Sequence, residues 1–164
     1  MAKDRTNMVS LLDIGLLTGT SGKLAEMGDG YTELTEDWGQ NTESKQYVNM
    51  KSASNTVKGY ALSMSPSREC LGDEMQTCID TLFKKFPTGE GCNTHYYRFF
   101  KTDIKNGSGD CIRVPVTVCP SSTGGAGGDT LTSSIQINGN GDVGLGTVTI
   151  SQEGEYTWSP KASE

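Results

Sequence analysis

The sequence lacks a long hydrophobic run, and this absence excludes a membrane-spanning helix. No apolar stretch approaches the roughly 20 residues needed to cross a bilayer, and only 34% of the 164 residues are hydrophobic. Positive charge is not in excess either, because 20 Asp and Glu outnumber 14 Lys and Arg and leave a net charge of −6. Tight phosphate binding needs basic side chains, so a surface that grips nucleic acid is excluded, whereas one that nucleic acid merely passes is not.

Recognisable sites for chemistry are absent as well. The five cysteines form no Cys-x-x-Cys pair, and Cys70/Cys78 and Cys111/Cys119 are spaced too widely to share a metal ion. We predict reduced, apolar thiols. His95, the only histidine, lies in a strand pattern and is predicted to be structural. Ser21-Gly22-Lys23 lacks the other residues of a phosphate-binding loop. We therefore expect no cofactor, no metal and no catalytic residue.

One stretch, at about residues 73–86, has the apolar spacing of an amphipathic α-helix. Acidic residues at its start and basic residues at its end suit the helix dipole, and Pro87 ends it. The packing face is predicted to consist of Met75, Cys78, Ile79, Leu82, Phe83 and Phe86. Nearly all other segments have strand patterns, so the partner of that face is expected to be a β-sheet.

The strand patterns predict where the chain turns. Gly39-Gln40-Asn41 predicts a hairpin whose polar sides project from the domain, over about 31–55. Asn138-Gly139-Asn140-Gly141 predicts a second hairpin, and Pro115 a bulge or a sheet edge. Aromatic residues on both faces of 94–102 predict one face in the core and the other at a subunit contact.

These elements predict a mainly β fold in one domain over 1–164: an antiparallel β-sandwich or partial barrel with one flanking α-helix. The N-terminal arm is placed at about 1–30. Within it, residues 8–17 fit either a short strand or an arm lying on another subunit. A polar C-terminal tail is placed at about 152–164.

Several segments, in order from about residue 30 to 150, resemble the bacteriophage major tail (tail tube) proteins. They are Tyr31-Thr-Glu-Leu-Thr, Gln46-Tyr-Val-Asn, Thr56-Val-Lys-Gly-Tyr-Ala-Leu-Ser-Met-Ser, Gly124 to Asp129 and Asn138-Gly-Asn-Gly-Asp. The resemblance implies a non-enzymatic subunit of hexameric rings, stacked into a tube that carries the genome into the host. It also implies kinship with the inner tubes of contractile tails and of type VI secretion. The N-terminal Gly-rich loop and the five cysteines depart from the family pattern.

The same resemblance implies partners and a location. The partners are further copies of the chain and the tape-measure, tail-tip and tail-terminator proteins. DNA passes through the tube without specific binding, and no membrane is involved. The resemblance leaves open whether a sheath surrounds the tube. The location is the virion tail, after assembly in the bacterial host cytoplasm. An acidic lumen would repel DNA, and the lumen-facing candidates are Glu33, Glu36, Asp37 and Glu43.

Three rival functions fit parts of the sequence. A β-sandwich that decorates a phage head or binds a receptor would share the strand pattern, and so would the inner tube of a contractile injection system. An acid-pair hydrolase would use two of the carboxylates at Glu33, Glu36, Asp37 and Glu43.

Overall fold

The computed structural model describes residues 2–15 and 23–161 and confirms the mainly antiparallel β fold with a flanking α-helix. The helix, α1, is Glu74–Lys85. The strands of the described part are β1 (Met8–Asp13), β2 (Leu24–Glu26), β3 (Asp37–Lys45), β4 (Ser54–Met64), β5 (Ser67–Glu69), β6 (Asn93–Phe100), β7 (Ser108–Gly124), β8 (Thr132–Gly139), β9 (Gly144–Ile150) and β10 (Tyr156–Pro160).

The long strand β7 organises the sheet. Its N-terminal half pairs with β9 and its C-terminal half with β8, while β6 pairs with the opposite edge. The strand order is β2-β1-β6-β7-β8-β4-β3, and β9 and β10 branch from β7. Within β7, Pro115 lies between Arg113, which pairs with β9, and Val116, which pairs with β8. The predicted bulge is not at Pro115, because the register of β7 shifts between Pro120 and Ser122. Pro115 pairs with His95 of β6, and on the other side of β7 it lies where the partner changes from β9 to β8, so that its missing N–H leaves no donor unpaired there.

The second predicted hairpin is wrong. β8 and β9 do not pair with each other; both pair with β7, one after the other. The Asn-Gly segment between them is a corner that carries the chain from one half of β7 to the other. The backbone N–H of Asn140 donates to the Pro115 carbonyl at 2.7 Å, and Gly141 has a φ of 151° that favours glycine.

Both faces of the sheet around β6 are buried within the subunit. Tyr96 faces the larger core, whereas Tyr97 and Phe99 face a smaller one that β10 helps to cover with Tyr156 and Trp158. Ring centroids are 6.0 Å apart for Tyr97–Trp158 and 5.9 Å for Phe99–Tyr156. The predicted subunit contact on the second face of 94–102 is therefore wrong, because the chain's own C-terminal strand occupies it.

The helix α1 is capped at both ends. The Asp73 side chain accepts from the Gln76 N–H at 2.9 Å, and the last turn closes with the Phe86 N–H donating to the Leu82 carbonyl at 2.9 Å. The helix contributes Met75, Cys78, Ile79 and Leu82 to the larger core, and Phe83 is partly buried against that core.

Phe86 departs from the predicted packing face. It is the residue after the helix, has a left-handed φ of 45°, and its side chain is 62% exposed. The left-handed turn directs the ring away from the apolar face of the helix, and the ring packs edge-on against Phe83 at a centroid distance of 6.5 Å. Gln76, on the predicted polar face, is buried instead and donates to Asp80 at 2.9 Å.

The predicted first hairpin is wrong, and a hairpin formed by β3 and β4 takes its place. Gly39-Gln40-Asn41 lie inside β3, which pairs with β4 from Asp37↔Ser63 to Lys45↔Ser54, with a bulge after Asn41. The chain reverses over 46–53 instead. Gly39 does not use a positive φ, so its turn propensity is not realised, and polar residues on both faces leave the register weakly specified by sequence.

Strands near both ends of the sequence pair with other strands of the sheet. β1 pairs with β2 and β6, so residues 8–13 form a strand of the domain rather than an arm on another subunit. β10, within the predicted C-terminal tail, pairs with β9. The excluded phosphate-loop segment Ser21-Gly22 and the glycine-rich stretch before it lie outside the described residues.

Candidate assembly surface

The β3–β4 hairpin is a two-stranded ribbon with few partners. β4 pairs with β8 only through Ser63 and Met64, so among the described residues no strand pairs with that edge over 54–62. β3 is the last strand of the sheet. An isolated two-stranded ribbon is marginally stable in water, and open edges pair readily with other chains. The hairpin is therefore the segment of this fold that gains most from a neighbour.

Apolar side chains are exposed on this ribbon and beside its base. We call them the hairpin patch: Tyr47, Val48, Val57, Tyr60 and Val143. Tyr47 and Val48 lie in the turn, where the Met50 N–H donates to the Tyr47 carbonyl at 3.0 Å. Tyr60 and Val143 line a shallow groove of ≈ 380 Å³ with Trp38. Several exposed apolar side chains along one otherwise polar ribbon make it a candidate interaction surface.

The charged groups of the hairpin are largely paired along its length. Glu43 on β3 meets the Lys58 ammonium on β4 at 2.7 Å and the Lys45 ammonium at 3.7 Å. Ion pairs this exposed contribute little stability, but they neutralise the carboxylate. Of the four predicted lumen-facing acids, Glu33 and Asp37 are exposed, and Glu43 is shared with two lysines.

Glu36 has a different role, because its side chain is only 7% exposed. Its carboxylate lies 3.3 Å from Nε of Arg98 on β6. Burial raises the pKa of Glu36, and the Arg98 guanidinium opposes that rise. The pair connects the base of the hairpin to the central sheet. The Glu36 carboxylate is paired with Arg98 inside the subunit, so Glu36 is not a surface acid like Glu33 and Asp37.

A buried arginine holds the loop before the hairpin against the helix. The Arg68 guanidinium donates to the Asp73 carboxylate at 2.7 Å and to the Asp29 carbonyl at 3.0 Å, and it lies 5.2 Å from the ring centre of Tyr31. Burial raises the pKa of Tyr31 to about 12. Two elements distant in sequence are thereby fixed at one point beneath the N-terminus of α1.

His95 and the cysteines, which the sequence offers as possible catalytic or metal-binding residues, are packed among other side chains of the fold. The His95 ring packs at 6.4 Å from that of Tyr97, and burial lowers its pKa, with the positive charge of Arg113 adding to the effect. Burial raises the pKa of Cys78 and that of Cys111 to about 12, as expected for apolar thiols. Within the described ranges, no cluster of three His, Cys, Asp or Glu residues could hold a metal ion, and no helix is long and apolar enough to cross a membrane.

Known structures share this architecture. A chain from the virion of a native gene transfer agent particle superimposes with a TM-score of 0.61 and 9% identity, over 88% of this chain and 98% of that one. A chain from the tail of an empty gene transfer agent particle with C6 symmetry gives 0.61 and 13%, over 87% and 97%. The fold is therefore shared with chains of gene transfer agent particles.

An injection-system chain extends this set. A chain of an extracellular contractile injection system, from its sheath/tube terminator in the extended state, matches with a TM-score of 0.56 and 6% identity, over 88% of this chain and 96% of that one. No protein-family model matches the sequence, and no curated protein matches it significantly. At identities this low the likeness is one of fold, and it extends over nearly the whole length of each matched chain.

Proposed function

We propose that the protein is a structural subunit of a bacteriophage tail tube, assembling into hexameric rings that stack into the conduit for genome delivery. The observation that carries the proposal is the β3–β4 ribbon, with open edges and the exposed hairpin patch, on a fold shared with gene transfer agent tails. A head-to-tail contact that closes on itself generates a ring. Neighbouring copies would then cover edges that a single subunit leaves open.

The proposed partners follow from that role. Further copies of the chain would complete the ring and the stack, and tape-measure, tail-tip and terminator proteins would meet the tube along its bore and at its ends. The protein would reside in the virion tail after assembly in the host cytoplasm. It would act without catalysis. The inner tube of a contractile injection system is the alternative that the fold supports equally, since a chain from such a system shares the architecture.

The test is electron microscopy of the purified protein, because the proposal requires a defined polymer. We expect rings or tubes with sixfold symmetry, formed through interfaces on the order of 2,000 Å² or more. A protein that remains strictly monomeric at high concentration, and forms no polymer when tail-tip proteins are added, would refute the proposal. Binding to glycans by a stable monomer or trimer would instead favour a receptor-binding module.

We further propose that Glu33 and Asp37, both exposed in the subunit, contribute to an acidic lumen. DNA passing through a tube must slide, and every lumen lysine would add a phosphate contact. Replacing both residues with lysine should leave tubes intact and slow genome delivery. The matched control is Glu153→Lys with Glu155→Lys, which makes the same charge change beyond β9. Unchanged delivery by the Glu33/Asp37 variant would place these residues outside the lumen.

A further inference from the structure

Asparagine is followed by glycine at three places in the sequence, Asn106-Gly107, Asn138-Gly139 and Asn140-Gly141. Asparagine deamidates readily before glycine, because glycine has no Cβ to hinder the approach of its backbone nitrogen to the asparagine side chain. That nitrogen must reach the side-chain amide carbon, which requires rotation about the Cα–C bond of the asparagine. The fold therefore decides which of three chemically similar pairs can react.

The Asn106-Gly107 pair is held in a tight two-residue turn. Both residues have a positive φ, 55° and 81°, as a type I′ turn requires. The turn is closed from both sides, since the Lys105 N–H donates to the Ser108 carbonyl at 2.8 Å and the Ser108 N–H donates to the Lys105 carbonyl at 3.2 Å. The Gly107 carbonyl also accepts from the Ile150 N–H at 2.8 Å, so rotation about Asn106 would break a contact to β9 as well.

The Asn138-Gly139 pair is fixed inside the sheet. Asn138 lies in β8 between two neighbouring strands, and it pairs with Thr117 of β7 on one side and with Ser63 of β4 on the other. Its side-chain oxygen accepts from the Gln136 amide at 3.0 Å. Rotation about Asn138 would turn the next peptide group out of the sheet, so reaction at this pair requires local unfolding of β8.

The Asn140-Gly141 pair has neither constraint. It lies in the corner between the end of β8 and the start of β9, and both residues are exposed. The Asn140 N–H donates to the Pro115 carbonyl at 2.7 Å, and its side-chain amide makes one long contact, 3.4 Å, to the Asn93 side-chain oxygen. The attacking nitrogen is that of Gly141, and its N–H donates no hydrogen bond to another described residue. The one strong bond of Asn140 therefore holds the side of the residue that need not rotate.

We propose that Asn140 is a site of spontaneous deamidation in the folded protein, whereas Asn106 and Asn138 are protected by the fold. The Gly141 nitrogen bonds to the Asn140 side-chain carbon, the bond from that carbon to the side-chain nitrogen breaks, and a cyclic succinimide forms. The proton of the Gly141 N–H ends on the ammonia that leaves. Water then opens the ring at either carbonyl and gives aspartate or isoaspartate. One water is consumed, one ammonia is released, and nothing is oxidised.

The product changes the surface at the base of the β3–β4 hairpin. A neutral amide becomes a carboxylate, which adds one negative charge to the net charge of −6. Gly139 and Gly141, on either side of Asn140, line the same groove as Tyr60 and Val143. Isoaspartate also lengthens the backbone by one carbon within the corner. Both changes fall beside the hairpin patch, but the modification itself does not depend on the proposed assembly.

The experiment incubates the folded full-length chain in mildly alkaline buffer made with oxygen-18 water, followed by proteolysis in ordinary water and tandem mass spectrometry. The label marks deamidation that occurred before digestion, and fragment ions distinguish Asn138 from Asn140. We expect Asn140 to react faster than Asn106 or Asn138 by at least roughly tenfold, because each of those must first break backbone hydrogen bonds. The control is the full-length chain unfolded in guanidinium, where the three pairs should react at similar rates.

The matched variants replace one asparagine at a time, and circular dichroism checks that each is folded. Asn140→Gln should abolish the acidic form that ion exchange separates, because glutamine must close a larger ring and reacts far more slowly. Asn106→Gln and Asn138→Gln should form the acidic species at the parent rate. Equal rates at the three pairs of the folded protein, a faster reaction at Asn106 or Asn138, an unreacted Asn140, or the same preference in guanidinium would each overturn the proposal.

Discussion

Val48 gives the sharpest test of the hairpin patch as an assembly surface. It lies in the turn of the β3–β4 hairpin and is 109% exposed, so it contacts almost nothing in its own subunit. Val48→Asp should therefore change the free energy of unfolding by no more than about 0.5 kcal/mol. If the tip is buried between subunits, the same change removes roughly 1.5–3 kcal/mol of apolar burial per contact and also places a carboxylate where water is excluded.

The expected effect on assembly follows from these magnitudes. A loss of about 2 kcal/mol per contact raises the concentration needed for polymerisation roughly 30-fold. Sedimentation velocity across a concentration series measures that threshold, and circular dichroism confirms that the subunit is folded. Leu131→Asp, at a residue 53% exposed outside the hairpin patch, is the control. A Val48→Asp protein that polymerises at the parent concentration would refute the assignment of the tip to an interface.

Two further predictions concern the subunit itself. Leu82→Ala should cost about 2–5 kcal/mol in urea unfolding because its side chain is buried, whereas Phe86→Ala should cost less than about 1 kcal/mol; equal losses would contradict the observed end of the helix. Arg98→Met should destabilise by roughly 1–3 kcal/mol at pH 7, because it leaves the buried Glu36 carboxylate without its cation. Burial raises the pKa of Glu36 in the folded protein above its usual value of 4.5. The protonated carboxyl therefore contributes to the free energy of unfolding below pH 4.5, and this contribution is lost as the pH rises through the folded pKa. The cost of Arg98→Met should therefore shrink as pH falls toward 4.5, and Glu36→Gln with Arg98→Met should abolish that pH dependence; a cost independent of pH would contradict the pairing.

Local patterns were sufficient to predict the helix and the general fold. The helical period, the acidic residues at the start and the stop before Pro87 all act over short distances along the chain, so sequence alone specifies α1. The alternation in β7 likewise predicts a strand that is buried where Val114, Val116 and Val118 lie.

The errors share a physical cause, which is the dependence on distant segments. The Asn-Gly corner at 138–141 is not a hairpin turn because β7 is long enough to pair with both β8 and β9. The second face of β6 is covered by β10, which is far along the chain. Glu36 is predicted to be a surface acid, but the fold buries it against Arg98, which is distant in sequence. The apolar pair Tyr47-Val48 in a polar turn was the one local signal that could have indicated the hairpin patch.

The central claim is that identical copies complete the open ribbon of each subunit. Helical reconstruction of the polymer from cryo-electron microscopy tests it most directly. The account predicts sixfold rings in which the β3–β4 hairpin packs against a neighbouring copy and buries Val48 and Tyr60. A polymer in which both side chains remain in solvent, or a preparation without any polymer, would contradict it.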